Sequence, residues 1–177
     1  MLKKIKAFNA YLLFYPTLLW TVFLSRVLNL RNWWDEIDEF IILGAIPFSS
    51  DVRALHETGV RGIINLCVES SGPTALYKKY DIDYHYLPTV DFTCPDVQTI
   101  AKGVSIIRKY RDKDEKVYIH CKAGRGRSAT IVFCWLVCQG NYSMEDAMKL
   151  LLSKRHQVNR KLHQREQVRE YVTLNSN

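Results

Sequence analysis

The stretch VYIHCKAGRGRSAT, Val117–Thr130, decides how the chain is read. It enters as a strand rich in β-branched and aromatic residues and leaves as SATIVFCWLVCQ (Ser128–Gln139), apolar almost all round and therefore expected as a buried central helix. Between them runs a short loop, Cys121-Lys122-Ala123-Gly124-Arg125-Gly126, followed by Arg127. At such a junction successive backbone N–H groups converge on one point. Two glycines permit the tight path, and the helix dipole adds positive potential there. The loop is an expected phosphate cradle. Cys121 stands at its base, where the same field favours thiolate over thiol and makes the sulfur a competent nucleophile. Arg127 offers a planar two-donor fork to the oxygens of a phosphoryl group.

Outward from this junction, short apolar runs alternate with polar, periodic stretches, which argues for an α/β domain. Strands are expected at Phe40–Gly44, Gly62–Cys67, Tyr84–Pro88 and Lys116–Cys121. Ser49 or Ser50 opens one helix that ends at Gly59, Asp96 caps a second running to about Tyr110, and Ser143 with Asp146 forms a variant capping box for a third. With 177 residues, 47% of them apolar, there is material for one domain with a sizeable core and no second. The five cysteines are odd in number and scattered, without paired CxxC spacing, so a disulfide framework and a structural zinc site are both disfavoured. Cys134 and Cys138 read as small apolar core residues of the central helix.

Charge gathers at the two ends. Residues 1–34 hold Lys3, Lys4, Lys6, Arg26 and Arg31 with no acid, and the stretch from Lys149 to Arg169 sets seven basic residues against Glu166. Such ends suit anionic surfaces, and with no nucleic-acid-binding signature in the chain, a membrane is the better partner. Phe8–Ser25 runs eighteen residues without a charge, at the lower edge of what spans a bilayer of about 30 Å. Asn9 and Pro16 weaken a spanning helix, and Tyr11, Phe14, Tyr15, Trp20 and Phe23 suit an interface. Segment 1–34 is thus read as an apolar membrane anchor or a targeting segment, the alternative being a helix packed on the domain, and 35–177 as the catalytic domain.

With ILGAIP (Ile42–Pro47), GVRGIINL (Gly59–Leu66), TVDFT (Thr89–Thr93) and the Cys121 loop in view, residues 35–174 resemble the cysteine-dependent protein tyrosine phosphatase superfamily. The resemblance is to its small dual-specificity branch, and within that to the mitochondrial-type phosphatidylglycerophosphate phosphatases. It implies a mostly parallel central sheet flanked by helices, with an N-terminal apolar helix added. It also implies a phosphomonoester hydrolase that works through a cysteinyl-phosphate without metal or cofactor and without an obligate protein partner. The resemblance assigns the nucleophile to Cys121, the phosphate clamp to Arg127, and loop N–H donation to Lys122, Ala123, Gly124, Arg125, Gly126 and Arg127. Ser128 helps the cysteine leave, Asp91 is the acid for the leaving alkoxide, and His120 orients the loop. Lys122 and Arg125 could also meet a second phosphate of a glycerophosphate diester. The expected substrate is a phosphorylated lipid on the route to cardiolipin, at the mitochondrial inner membrane or, in a prokaryote, the bacterial membrane. The alternative is a membrane-tethered dual-specificity protein phosphatase acting on phosphotyrosine and phosphoserine or phosphothreonine; a silent phosphate-binding module is the remaining reading. Two positions depart from the family pattern. A common Glu-Glu-Tyr run reads Val68-Glu69-Ser70 after Cys67, and the Arg-Pro pair before the last helix reads Arg160-Lys161.

Overall fold

The computed structural model describes residues 2–175, and side chains from residue 12 onward. The side chains of Lys3, Lys4, Lys6, Asn9 and Tyr11 lie outside that description. Five strands, β1 (Trp34–Glu36), β2 (Ile41–Gly44), β3 (Val60–Cys67), β4 (Asp83–Thr89) and β5 (Lys116–His120), form one sheet in the order β1-β2-β5-β3-β4. β1 runs antiparallel to β2, and every other pairing is parallel. Four of these strands coincide with the apolar runs of the sequence; β1 is the one without such a run. Its residues, Trp-Asp-Glu, lack the apolar alternation of a strand, and it forms because Asp35 and its neighbours pair with the edge of β2.

The three inner strands are buried on both faces, as parallel strands covered by helices must be. One face packs against α4 (Val97–Arg111), α5 (Arg127–Cys138), α6 (Met144–Lys154) and α7 (Glu166–Asn175), with Ile64, Ile119, Ile131, Phe133 and Leu151 at the centre. On the opposite face α2 (Val52–Glu57) and α3 (Thr74–Lys79) cover Ile42, Ile63 and Tyr118. Two helix starts follow their expected caps: Asp96 Oδ1 accepts from the Thr99 N–H at 2.7 Å and Ser143 Oγ from the Asp146 N–H at 3.1 Å. Gly59 ends the α2 region in the left-handed conformation, φ 94°. All five cysteines are free thiols.

A long helix, α1 (Leu2–Val22), precedes the sheet and runs into a π-helical turn, Phe23–Val27. Among the described residues no helix is long and apolar enough to cross a membrane. One side of α1 rests on the domain. Phe14 is buried, and Leu18 and Val22 pack against Trp33, Ala45 and Ile46. Arg26 continues the attachment, pairing with Asp51 at 2.7 Å and lying over the Trp33 ring. The other side, with Leu12, Tyr15, Leu19 and Trp20, faces solvent, and so does Phe23 at the start of the π-helical turn.

His120, the last residue of β5, lies in register with Gly44 of β2 and Asn65 of β3. The strand ends therefore converge where the Cys121 loop begins, the carboxyl edge at which open parallel sheets bind ligands.

Candidate active site

Cys121 leaves the central strand and α5 starts at Arg127, so the loop between them is anchored at both ends by buried structure. Gly124 adopts φ 64°, and a Cβ there would lie 2.4 Å from the Gly44 carbonyl oxygen, so both its conformation and its surroundings require glycine. The loop floors a cavity of about 790 Å³, whose walls come from α1 (Thr17, Trp20), the Asp91–Thr93 turn and the segment 156–160.

Cys121 is buried, and Ser128 Oγ donates to its Sγ at 3.3 Å. Burial pushes the thiol up, but the Arg127 charge, the Ser128 hydroxyl and the backbone N–H groups of Ser128 and Ala123 outweigh it, bringing the group down to about 7. Arg127 is itself buried. Its Nη1 donates to the Thr89 carbonyl at 2.8 Å and to Glu69 Oε2 at 2.9 Å, which fixes the plane of the guanidinium. Its Nη2 lies 3.0 Å from Asp91 Oδ1, an ion-pair contact without hydrogen-bond alignment, and Nε has no hydrogen-bond partner among the described residues. The Nε–Nη2 edge is thus a free two-donor fork of the kind that matches two oxygens of an anion.

Asp91 sits over this edge. Its second oxygen pairs with Lys122 Nζ, which also donates to Thr17 Oγ1 of α1 at 2.6 Å. The next residue, Phe92, has φ 61°, a costly conformation for a bulky side chain, and leaves its ring 70% exposed at the cavity rim. His120 is fully buried and held neutral: burial carries its ring down to about 3, and its Nδ1 lies 3.4 Å from the Cys121 carbonyl oxygen. Among the described residues it makes no hydrogen bond to the sulfur, and its one polar contact is to the backbone of the loop.

The loop is held from below by a residue that no motif in the sequence marks. Arg155 is buried; its Nε donates to the Gly124 carbonyl at 3.0 Å, Nη2 to the Ala123 carbonyl at 3.0 Å, and Nη1 to Asp35 at 2.5 Å. By drawing these carbonyls outward it leaves the N–H groups of the same peptides facing the cavity. Arg160, the position the family pattern pointed to, lies on the exposed wall of the cavity, while Arg155 carries the contact to the loop. We expect Arg155→Met to lower unfolding free energy by about 3–5 kcal/mol, because Asp35 and two carbonyls lose a buried partner. Denaturant titration measures this, and a loss below about 1 kcal/mol would show that the clamp is dispensable.

Residues 41–173 match the family model for the dual specificity phosphatase catalytic domain. This chain belongs to the dual-specificity phosphatase family. The phosphatase is 42% identical over 153 residues to phosphatidylglycerophosphate phosphatase PTPMT1 of Arabidopsis thaliana, covering 85% of this chain but only 45% of that relative's length. It is 37% identical over 168 residues to phosphatidylglycerophosphate phosphatase PTPMT2 of the same plant, covering 93% of this chain and 74% of the relative. A crystal structure of PTPMT1 in complex with PI(5)P superposes with a TM-score of 0.73 at 30% identity, over 82% of this phosphatase and 100% of that chain. The α/β fold with its helix-flanked sheet is therefore that of a cysteine-based phosphatase. Its N-terminal helix adds the Thr17 contact to Lys122, which no motif in the sequence announced.

Proposed function

We propose that this phosphatase removes the terminal phosphate of phosphatidylglycerophosphate, yielding phosphatidylglycerol. In this reading the Cys121 thiolate attacks phosphorus and the P–O bond to the headgroup alkoxide breaks, leaving a cysteinyl-phosphate. Arg127 and the N–H groups from Lys122 through Arg127 hold the three equatorial oxygens. Asp91 loses its contact with Arg127 as the phosphoryl group takes that place, takes up a proton from solvent, gives it to the alkoxide as the P–O bond breaks, and then accepts one from the attacking water. The Ser128 hydroxyl hydrogen-bonds the sulfur as the S–P bond breaks. His120 acts through the loop backbone. No step uses a metal or cofactor.

The observation that carries the lipid reading is the character of the cavity mouth. Trp20 of α1 and Phe92 are 59% and 70% exposed on its rim, and the outer side of α1 continues the apolar surface through Tyr15, Leu19 and Phe23. Such a surface beside a cationic cavity suits docking at a bilayer interface with the reacting headgroup presented inward. In this reading segment 1–34 lies on the membrane while remaining packed against domain 35–177, and the membrane is the mitochondrial inner one or its bacterial counterpart. The names of the two plant relatives and the PI(5)P complex of PTPMT1 support a phosphorylated lipid over a phosphoprotein.

The test is phosphate release from phosphatidylglycerophosphate in mixed micelles against release from a phosphotyrosine peptide. We expect kcat/KM to favour the lipid by about a hundredfold or more, the scale of one or two additional charged contacts. Equal rates, or a preference for the peptide, would make the chain a protein phosphatase.

A further inference from the structure

The loop's two cations ahead of Arg127 have different partners in the fold. Lys122 is spent on Asp91 and Thr17. Arg125 is not: its Nε donates to the Gln157 carbonyl at 2.9 Å, and its own carbonyl accepts from the Asn159 N–H at 2.9 Å, so its position is set while its other guanidinium donors have no hydrogen-bond partner among the described residues. Segment 157–159 thereby brings Arg160 to the same wall, and the residues before β1 bring Arg31 to it. Among the described residues, none of these three arginines pairs with a carboxylate. The cavity lining holds one acid, Asp91, already shared by Lys122 and Arg127. Burial lowers the Arg125 guanidinium, and so do the like charges of Arg31 and Arg155. Arg31 and Arg125 repel one another across this wall, Arg160 lines the same cavity, and an anion joining them relieves the repulsion.

We propose that Arg31, Arg125 and Arg160 form a second anion site, distinct from the Cys121 cradle, that takes the phosphodiester of the headgroup whose terminal phosphate is being cleaved. This rests on the lipid reading above. A phosphotyrosyl side chain carries one phosphate and leaves the second site unused. A glycerophosphate headgroup carries a monoester and a diester in one molecule, and guanidinium forks match the two free oxygens of the diester. The cavity, about 790 Å³, accommodates both groups of such a headgroup.

The same arginines could instead grip other anionic lipids in the bilayer, so the experiment uses substrates that separate the two sources. Arg31→Gln, Arg160→Gln and the double variant are compared with wild type on phosphatidylglycerophosphate in mixed micelles, on its deacylated water-soluble form, and on p-nitrophenyl phosphate. Neither side chain holds the fold together, so an unchanged thermal midpoint is expected and verifies intact protein. For the double variant we expect KM to rise about tenfold or more on both diester-bearing substrates, with kcat little changed and a much smaller effect on p-nitrophenyl phosphate. A loss confined to the micellar substrate would assign the arginines to the bilayer and overturn the second site. Equal losses on all three substrates, or no loss on any, would also overturn it. Wild-type enzyme that cleaves p-nitrophenyl phosphate but neither diester-bearing substrate would refute the lipid reading itself, and the second site with it.

Discussion

Cys121→Ser abolishes turnover, with kcat/KM falling on the order of 10⁴-fold or more while phosphate-bearing ligands still bind. The expectation follows from what surrounds the sulfur. Burial alone would keep the thiol protonated, and only Arg127, Ser128 and two backbone N–H groups bring it to about 7. A substantial share of it is thus thiolate at neutral pH without any general base. A serine hydroxyl in the same place starts several units higher and needs a base to attack. None is in position at the nucleophile: His120 is held neutral with its Nδ1 near a backbone carbonyl, and Asp91, tied to Lys122, serves the leaving alkoxide in the proposed reaction rather than residue 121. The alcohol therefore remains neutral in a site that still offers every phosphate-binding donor. Alkylation by iodoacetamide gives the companion measurement. In wild type its rate should rise with pH through a midpoint near 7 rather than at the usual thiol value near 8.5. A serine variant that retains a hundredth of the activity, or an alkylation midpoint near 8.5, would remove Cys121 from the nucleophilic role.

The cradle was legible because its determinants are local. A β-branched run, two glycines within three residues and an apolar helix mark the strand, the turn and the buried helix by chemistry that acts over a few residues. The helix caps at Asp96 and Ser143 were legible for the same reason. What escaped depends on partners far apart in the chain. Arg155 contacts carbonyl groups, which every residue owns, so nothing in its neighbourhood reports that the loop is its partner. Glu69 aligns Arg127 from 58 residues away, and Thr17 meets Lys122 across 105. Lys122 itself, read as a loop donor free to meet a second phosphate, has its ammonium tied to Asp91 instead. The eighteen-residue uncharged run was evident, but only the packing of Phe14, Leu18 and Val22 reveals that one side of that helix belongs to the domain.

Arg127→Lys should lower kcat/KM on the order of 10³-fold, although the charge is conserved. In the native site one guanidinium does two tasks with two different edges. Nη1 is saturated by Thr89 and Glu69, while Nε and Nη2 have no hydrogen-bond partner among the described residues and, in the proposed reaction, grip the phosphoryl oxygens. A lysine ammonium is a single point and satisfies only one of these. If it stays with Glu69, whose side chain is 1% exposed and costly to leave unpaired, the phosphoryl group loses its fork and Cys121 loses its strongest stabilising charge. The alkylation midpoint then climbs from about 7 toward the ordinary thiol value. If instead it moves toward the sulfur, the midpoint stays near 7 while buried Glu69 destabilises the fold, and denaturant titration registers the loss. The two measurements together say which edge the lysine takes. A variant that keeps more than a tenth of wild-type kcat/KM would mean that charge alone, without the fork, stabilises the transferring phosphoryl group.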